Sequence, residues 1–355
     1  MSSLVQGLEI GLKIITRPEK VYIEKSRMSQ LLNCDFIVEN LTDEKWKIKH
    51  IEVSVFDSTG KLVTRKFIDE SGSIQTIPNR ELESKTSALI FNPFFSFDHN
   101  IELKKLLYKF TFASATNDGE EDKDEVEKIV ETTISPEFYN TKTRLNLPVK
   151  GRAIIWDGHD FYSHHRRFNY YHPMLRHFGF KSNFQRYGYD FVPVNNNGEM
   201  FQGNYKSNED WFGFGQPVFA VANGIVADFF DGMPDNREFD EAEIETRQMV
   251  VFGNYVIIDH QNGEYSCLAH FKQGSVTVKV GQEVQKGQII GHIGASGSSL
   301  FPHLHYELRN GIGAKEVDGL PSYFSQFRRI LGSNSINVQI GQIDTGDIVE
   351  QIMAT

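Results

Sequence analysis

Cysteine is scarce in this sequence, with Cys34 and Cys267 the only two among 355 residues. A small disulfide scaffold needs several closely spaced cysteines, so the sequence excludes that class of protein. The two cysteines fall in different predicted domains, each inside an apolar run that is typical of a β-strand. We therefore expect two buried free thiols rather than a disulfide bond.

Long apolar segments are also missing. No run of about 18 apolar residues occurs, which is the usual minimum for a membrane-spanning helix. Residues 1–20 contain no basic segment followed by an apolar core, so they lack the pattern of a secretory signal peptide. The sequence as written predicts no membrane span and a cytoplasmic protein, and export would need a removed leader or another route.

Positive charge is in deficit, because 37 Lys and Arg residues stand against 47 Asp and Glu residues and the net charge is −10 at pH 7. Basic neighbours occur as pairs, such as Arg166 with Arg167 and Lys104 with Lys105. Nucleic-acid binding depends on clustered Lys and Arg side chains that neutralise phosphates. The charge pattern therefore predicts that the chain has no nucleic-acid partner.

Helical periodicity is rare, and the first 135 residues show the alternation that is typical of β-strands. From Ser29 to Ile68 apolar residues recur in alternation, and turn sequences at 40–44 and 57–60 predict hairpins between the strands. A second strand pair is predicted at 108–113 and 128–134. We predict an all-β fold in which residues 1–135 form an immunoglobulin-like β-sandwich.

A chain of this length exceeds the usual size of one hydrophobic core, so we predict a second domain. Residues 136–144 are interpreted as a connector, 145–335 as a second strand-rich domain and 336–355 as a C-terminal tail. Within the second domain, 217–227 and 276–291 resemble the folded-over antiparallel sheets of biotinyl and lipoyl carriers. Those carriers present a modifiable lysine flanked by Met, or by Asp and Ala, and no such tripeptide occurs here, which disfavours a carrier.

Histidine is concentrated in the second domain, since all but His50 and His99 of the 12 histidines lie between His159 and His305. In an extended segment, residues i and i+2 point to the same face. His303 and His305 are therefore expected to face one space. Two imidazoles on a rigid strand are suited to a metal site or an acid–base site.

Four sequence elements follow one another in the second domain, and they are Arg186-Tyr-Gly-Tyr-Asp190, Gly215-Gln-Pro-Val-Phe-Ala with Asn223-Gly, Tyr265-Ser-Cys-Leu-Ala-His270, and Gly297 to Leu308 with His303-Leu-His305. Their order and spacing closely resemble the lysostaphin-like zinc metallopeptidases, which cleave peptides of bacterial cell-wall peptidoglycan. The resemblance covers roughly residues 145–325 and implies a folded-over antiparallel β-sheet domain of lysostaphin-like peptidase type.

The resemblance also implies roles for individual residues. Asp190 and His305 stand at the positions of the family's zinc ligands. His270 and His303 stand at the positions of the histidines that polarise water and stabilise the transition state in that family. These residue types agree with zinc chemistry, because catalytic zinc takes three His, Asp or Glu ligands and keeps a fourth position for water.

One position departs from the family pattern. The family usually has a histidine four residues before the aspartate, whereas this chain has Arg186, whose guanidinium has no lone pair for a metal. Some branches of the family lack this strand histidine. The upstream segment with Ser163-His164-His165 resembles the arrangement in those branches. We therefore predict His165, or else His164, as the third ligand.

Three further histidines and Arg186 are weaker candidates for roles at the site. His159, His172 and His177 are less favoured than His165 and His164 as the third ligand. Arg186 is expected to share a strand face with Gly188 and Asp190, and it is a candidate for substrate binding.

The sequence predicts a zinc metalloendopeptidase that uses Zn²⁺ to hydrolyse peptide bonds in peptidoglycan stem or cross-bridge peptides. In this interpretation the N-terminal domain positions a substrate or a partner. The departure at Arg186 leaves a second hypothesis, a catalytically silent peptidase fold that acts as a binding or activator module. The third hypothesis is a carrier-type β domain with no hydrolytic role. The sequence indicates no particular oligomeric state.

Overall fold

The computed structural model describes residues 11–26, 28–69, 80–114 and 126–352. Within these ranges the chain is almost entirely β-structure, with one α-helix, α1 (Pro173–His177), and three short 3-10 helices (Asn208–Asp210, Glu241–Glu245, Gln248–Phe252). The predicted all-β fold class is therefore confirmed. No helix in the described ranges is long and apolar enough to cross a membrane. The chain divides into two compact units, Met1–Tyr139 and Asn140–Thr355.

The first unit contains three sheets in its described part, with strand orders β1-β4-β8, β11-β10-β5-β6 and β12-β2-β3-β9, and β7 pairs with β5. The strands are β1 (Leu12–Arg17), β2 (Tyr22–Lys25), β3 (Ser29–Leu32), β4 (Asp35–Asn40), β5 (Trp46–Phe56), β6 (Leu62–Asp69), β7 (Glu81–Leu82), β8 (Ser87–Phe91), β9 (Ser96–Asp98), β10 (Lys105–Ser114), β11 (Glu127–Ile134) and β12 (Glu137–Phe138).

One hydrophobic core joins the sheets of the first unit. Phe36 on β4 contacts Tyr108 and Phe110 on β10, with ring centroids 4.7 Å and 5.2 Å apart. All three side chains are fully buried, as is the free thiol of Cys34. Strands β4 and β10 belong to different sheets, so the two sheets pack through these aromatic side chains. The immunoglobulin-like arrangement of this unit stays a prediction.

The strand pairing in this unit was only partly predictable. The predicted pair at 108–113 and 128–134 is confirmed, since β10 and β11 are antiparallel partners. The predicted hairpin at 40–44 is wrong, because β4 pairs with β1 and β8, whereas β5 pairs with β6, β7 and β10. The buried amide of Asn40 donates to the carbonyl oxygens of Glu44 and Glu83 at 2.8 Å and 2.9 Å, so it stabilises a crossing between sheets.

The second unit is built around one large sheet with the order β19-β16-β17-β18-β21-β14-β13-β25-β23-β24, to which β22 adds beside β21, and a small sheet β15-β20. The strands are β13 (Arg152–Ile155), β14 (Tyr189–Pro193), β15 (Pro217–Phe219), β16 (Gly224–Phe230), β17 (Tyr255–Asp259), β18 (Tyr265–Ala269), β19 (Glu283–Val284), β20 (Ile289–His292), β21 (Leu304–Arg309), β22 (Gly319–Leu320), β23 (Phe324–Leu331), β24 (Asn334–Gly341) and β25 (Ile348–Gln351).

Two predicted segments outside the domains are in fact paired strands. Residues 137–138 of the predicted connector form β12, which pairs in parallel with β2 of the first unit. The described part of the predicted tail, residues 336–352, is not separate from the domain, because β25 lies between β13 and β23 and the side chain of Val349 is fully buried. β25 has only four residues, so its alternation is too short to distinguish an interior strand from a tail in the sequence. Independent folding of each domain stays a prediction.

Candidate metal centre

Strand β21 carries His305 between two neighbouring strands that bring other predicted site residues beside it. Asp190 on β14 is paired directly with His305, and on the other side Ala269, the last residue of β18, is paired with the same histidine. His270 follows Ala269, and His303 immediately precedes β21. The intervening side chains Leu304, Tyr306 and Leu308 are fully buried.

A loop upstream of β14 places His165 against this cluster. The Nε2 atom of His165 lies 3.2 Å from Nδ1 of His305 and 3.4 Å from Oδ1 of Asp190. Gly188 makes room for the imidazole, since a Cβ atom at this position would lie 3.1 Å from Cγ of His165. The imidazole of His165 can therefore lie close to Asp190, because Gly188, which immediately precedes β14, has no side chain.

The three converging atoms fit a tetrahedral zinc ion. Nδ1 of His305 lies 3.0 Å from Oδ1 of Asp190, so the three separations are 3.0, 3.2 and 3.4 Å. Ligands about 2.0–2.1 Å from a tetrahedral zinc lie about 3.3 Å from each other. Two imidazole nitrogens and a carboxylate oxygen are also a normal zinc donor set. Both the spacing and the chemistry of His165, Asp190 and His305 can accommodate the ion.

Hydrogen bonds on the far sides of the two imidazoles determine which nitrogen carries the lone pair. Nδ1 of His165 lies 2.8 Å from the carbonyl oxygen of Gly158, which can only accept, so Nε2 is left free. Nε2 of His305 lies 2.8 Å from Oε1 of Glu307. When neutral, His305 therefore offers Nδ1. Both lone pairs point to the same place, and metal-binding histidines are normally oriented by such outer partners.

His270 and His303 are oriented in the same way, by backbone carbonyl groups. Nδ1 of His270 donates to the carbonyl oxygen of Ser296 at 2.8 Å, and Nδ1 of His303 donates to that of Phe301 at 2.8 Å. Nε2 of His303 lies 3.4 Å from Oδ1 of Asp190. The ring centroids of His270 and His303 are 4.7 Å apart. Each imidazole thus has Nδ1 occupied by a carbonyl group, and Nε2 is its other ring nitrogen.

The backbone at His270 is unusual. Its φ angle is +63°, a left-handed conformation that residues other than glycine rarely adopt. The conformation is held by a hydrogen bond from its own amide to the carbonyl oxygen of Phe252 and one from the amide of Gly294 to its carbonyl oxygen. Such backbone strain occurs often at functional sites.

The buried cluster shifts the pKa values of its members. Burial alone would favour a neutral Asp190, but the adjacent His165 and His303 hold the pKa of this carboxyl well below its usual range. Burial lowers the pKa of His165 and, together with His303 and His305, lowers that of His270 strongly. Near neutral pH, Asp190 is therefore charged and His165 keeps its lone pair.

His305 behaves differently because it has two carboxylate partners. Burial favours the neutral ring, but the hydrogen bonds to Asp190 and Glu307 outweigh it and raise the pKa of His305 to about 9. A cation bound at Nδ1 would displace the proton from that atom, as metal binding does at protonated ligands.

The remaining predicted histidines do not join the three converging atoms. His164 lines the cavity at the site, but its side chain is exposed and contacts the carboxylate of Asp157. His159 packs edge to face on Tyr189, and His172 caps helix α1. His177 lies near the end of that helix. Of the two adjacent histidines in the loop, His165 is the one beside Asp190 and His305.

Arg186 does not lie where the sequence predicted. Strand β14 begins at Tyr189, and Arg186 belongs to the preceding turn, where its amide bonds the carbonyl oxygen of Asn183. The predicted strand face shared by Arg186, Gly188 and Asp190 is therefore wrong, since alternation holds only within the strand. The Arg186 side chain is fully buried and is not among the residues that line the cavity at the site, which disfavours contact with a substrate.

Sequence reasoning missed the role of Glu307. This residue is fully buried. Besides His305 it faces the guanidinium of Arg309, with Oε2 of Glu307 and Nη1 of Arg309 3.8 Å apart. Glu307 follows His305 by two residues on the same strand, so the alternation that joined His303 to His305 could have identified it as well.

The cluster opens into a cavity of about 410 Å³. Asp190, His270, His303 and His305 line one end of the cavity, and aromatic and aliphatic side chains line most of the rest. A cavity of this size is in the range of ligand sites, which combine apolar walls with a few convergent polar groups. A ligand in it would reach the histidines directly.

A comparison with known protein families matches part of the second unit. A family model described as peptidase family M23 matches residues 209–318. The match includes His270, His303 and His305, whereas Asp190 and His165 precede it. The recognised domain therefore contributes three of the five residues, and the upstream part of the same unit contributes the other two.

Curated relatives match over a similar length. Peptidoglycan DD-endopeptidase ShyA of Vibrio cholerae is 40% identical over 94 residues, which are 26% of this chain and 17% of that protein. Peptidoglycan DD-endopeptidase ShyC of the same organism is 46% identical over 99 residues, or 28% of this chain and 18% of that protein. The cell division protein DipM of Caulobacter vibrioides is 39% identical over 95 residues, or 27% and 13%. The match spans less than a fifth of each relative.

Proposed function

Because residues 209–318 form a domain of peptidase family M23, we propose that this chain is a zinc-dependent peptidase. The observation that carries the proposal is the convergence of His165, Asp190 and His305 within 3.4 Å, beside two further histidines and at the end of a cavity. His165, Asp190 and His305 are the proposed zinc ligands, and His270 and His303 are the proposed catalytic residues.

Zinc held by this set would polarise the scissile carbonyl group and lower the pKa of a water molecule to about 7. The two catalytic histidines serve proton transfer. Both have Nδ1 tied to a backbone carbonyl group, so Nε2 is the atom that takes a proton from water and returns it to the leaving amine. Burial, together with His303 and His305, holds the pKa of His270 well below its ordinary value, which keeps that ring neutral.

Peptidoglycan peptides are the proposed substrate. Support comes from the relatives ShyA and ShyC, whose names describe peptidoglycan DD-endopeptidases, and from the sequence resemblance to lysostaphin-like enzymes. The stem or cross-bridge peptides of the cell wall are the substrates to try first. Cellular location remains a prediction from the sequence alone.

The hypothesis of a silent binding module depended on a missing third ligand. Nε2 of His165 lies 3.4 Å from Oδ1 of Asp190, which supports His165 as the ligand that takes the place of the strand histidine replaced by Arg186. A cleavage assay separates the two hypotheses, because a silent module would bind the same material without cutting it.

The test uses the full chain loaded with zinc and purified peptidoglycan sacculi. We expect soluble peptidoglycan fragments with newly formed amino termini, detected by mass spectrometry. The variant His303→Ala and a chelator-treated sample are the controls, and both should release far less. Binding of sacculi without cleavage by the zinc-loaded wild type would favour the silent module and contradict the proposed hydrolysis.

A further inference from the structure

Strand β24 forms an open edge of the large sheet in the second unit. It is the last strand in the order of that sheet, and among the strands that the structure describes it pairs only with β23. Its outer edge therefore presents backbone N–H and C=O groups without a partner strand in the described part of the chain. Such an edge can pair with a strand from another chain.

One face of β24 carries an apolar stripe formed by Ile336, Val338 and Ile340. These residues alternate along the strand, so their side chains point to the same face. Ile336 is 49% exposed, Ile340 is 63% exposed and Val338 is half-buried. Val338 is paired with Phe327 of β23, which is fully buried. The buried face of the sheet therefore continues onto β24, where the apolar stripe is in contact with solvent.

The sequence of β24 lacks the features that protect other edge strands. Its eight residues, Asn-Ser-Ile-Asn-Val-Gln-Ile-Gly, include no charged residue and no proline. The edge strands β6 and β11 of the first unit also have eight residues, but each carries charged side chains, namely Arg65, Lys66 and Asp69 on β6 and Glu127, Lys128 and Glu131 on β11. Charged side chains and proline commonly prevent the addition of a further strand at an edge.

The sequence of β24 complements itself in an antiparallel pair. When Val338 lies opposite Val338 of a second copy, Ile336 of each copy lies opposite Ile340 of the other. All six apolar side chains then share one face, where cross-strand neighbours contact each other. On the opposite face, Asn337 lies opposite Gln339, and their carboxamide groups can hydrogen-bond to each other. This pairing is two-fold symmetric, as most homodimer interfaces are.

Other registers of the same pair fit less well. A shift by one residue places the apolar stripes of the two copies on opposite faces. A shift by two residues places an isoleucine of each copy opposite Asn334 or Gln342. Each copy has a net charge of −10, and pairing through an uncharged strand adds no contact between like charges. The apolar stripe thus specifies both the partner strand and the register.

We propose that β24 is a dimerisation edge, at which a second copy of this chain adds its own β24 in antiparallel register around Val338. The proposal is independent of the proposed peptidase activity. In the sheet order, β24 is five strand spacings from β21, or about 24 Å at about 4.8 Å for each spacing. No residue of β24 is among the described residues that line the cavity at the site. The dimer therefore carries two candidate zinc sites away from its interface.

Sedimentation equilibrium of the full chain measures the association. The mass should rise from that of one chain, 40.6 kDa, towards twice that value as the concentration increases from about 1 µM to about 500 µM. Val338→Lys places two ammonium groups opposite each other and should raise the dissociation constant at least about 10-fold. Val63→Lys is the matched control, because Val63 is exposed on the edge strand β6 and its substitution should leave the dissociation constant unchanged. A chain that stays monomeric throughout, or an equally stable dimer in Val338→Lys, would overturn the proposal.

A cysteine variant tests the register without adding charge to the strand. Directly opposite residues in an antiparallel pair are close enough for a disulfide bond, so oxidised Val338→Cys should form a covalent dimer across the symmetry axis. The native thiols of Cys34 and Cys267 are buried and do not compete. Cross-linking should be at least about 10-fold faster than in the control Val63→Cys, measured by non-reducing electrophoresis. Equal rates in the two variants would overturn the pairing around Val338.

Discussion

Four histidines around Asp190 each have one ring nitrogen hydrogen-bonded to an outer oxygen. In His165, His270 and His303 this oxygen is a backbone carbonyl, whereas in His305 it is the carboxylate of Glu307. The carbonyl group fixes a tautomer without adding charge. The carboxylate of Glu307 adds charge, and hydrogen bonds to Asp190 and Glu307 together outweigh burial and raise the pKa of His305 to about 9. A single anionic outer partner thus distinguishes one imidazole from the other three.

The adjacent pair His164 and His165 provides a matched test at the residue scale. His165→Ala should weaken zinc binding more than about 100-fold, which exceeds the usual loss for an outer partner, because a direct ligand is removed. His164→Ala should bind zinc like the wild type, since its ring is exposed and contacts Asp157. Competition with a chromophoric chelator measures both. Reversed effects of the two substitutions would make His164 the ligand.

Proton transfer and metal binding should be separable in the same way. His270→Ala and His303→Ala should retain zinc and lose about 100-fold or more in turnover, the usual scale of general acid–base assistance. The expectation follows from their carbonyl-anchored rings, which leave Nε2 beside the three converging atoms. Metal content and peptide cleavage are measured on the same preparations. Loss of zinc from either variant would place that histidine among the ligands.

The sequence predicted the strand-borne part of the site better than the loop-borne part. Alternation alone put His303 and His305 on one face, and the structure brings both to Asp190. Two adjacent loop histidines have no such periodicity, so only the structure shows that His165 lies beside Asp190 and His305 and that His164 contacts Asp157 instead. The prediction for Arg186 was wrong because β14 begins only at Tyr189, so Arg186 lies in the preceding turn, where strand alternation does not apply.

Among the elements, β21 is central because its two neighbours bring together residues that are distant in sequence. β14 contributes Asp190 on one side, and β18 leads to His270 on the other. β25 supports the same sheet, because it fills the position between β13 and β23. Local alternation indicates that a strand exists but not which strands become neighbours, and so β25 and the crossing after β4 were not predictable.

The interior position of β25 predicts different costs for two substitutions near the chain end. Val349→Ala should lower the free energy of unfolding by about 2 kcal/mol, because Val349 is fully buried and two methyl groups are lost. Ile340→Ala on β24 should change it by less than about 0.5 kcal/mol, since Ile340 is 63% exposed. Urea unfolding measures both. Similar small effects would mean that β25 does not belong to the cooperative core.

At the scale of the whole molecule, the chemistry is confined to the second unit. All five proposed site residues and the residues that line the cavity at the site lie within Asn140–Thr355, and so does the family match. The length and the concentration of histidine predicted a separate domain here. They could not predict its boundaries, because β12 and β25 are short strands whose pairing partners are distant in sequence.

This division predicts that the second unit is sufficient for the metal. A fragment that begins near Thr141 should unfold cooperatively and bind zinc with the affinity of the full chain, because its core and its candidate ligands are complete within the unit. Thermal unfolding with and without zinc measures both properties. A fragment that is insoluble, or that folds without binding zinc, would mean that the first unit completes the site.

The central claim is that His165, Asp190 and His305 hold a zinc ion, and metal analysis of the purified full chain tests it most directly. After zinc loading and dialysis, the wild type should retain about one zinc ion per chain, with zinc–nitrogen distances of about 2.0–2.1 Å in X-ray absorption. His305→Ala should lose it, because two remaining ligands rarely retain catalytic zinc. A wild type without zinc, or stoichiometric zinc in folded His305→Ala, would contradict the account.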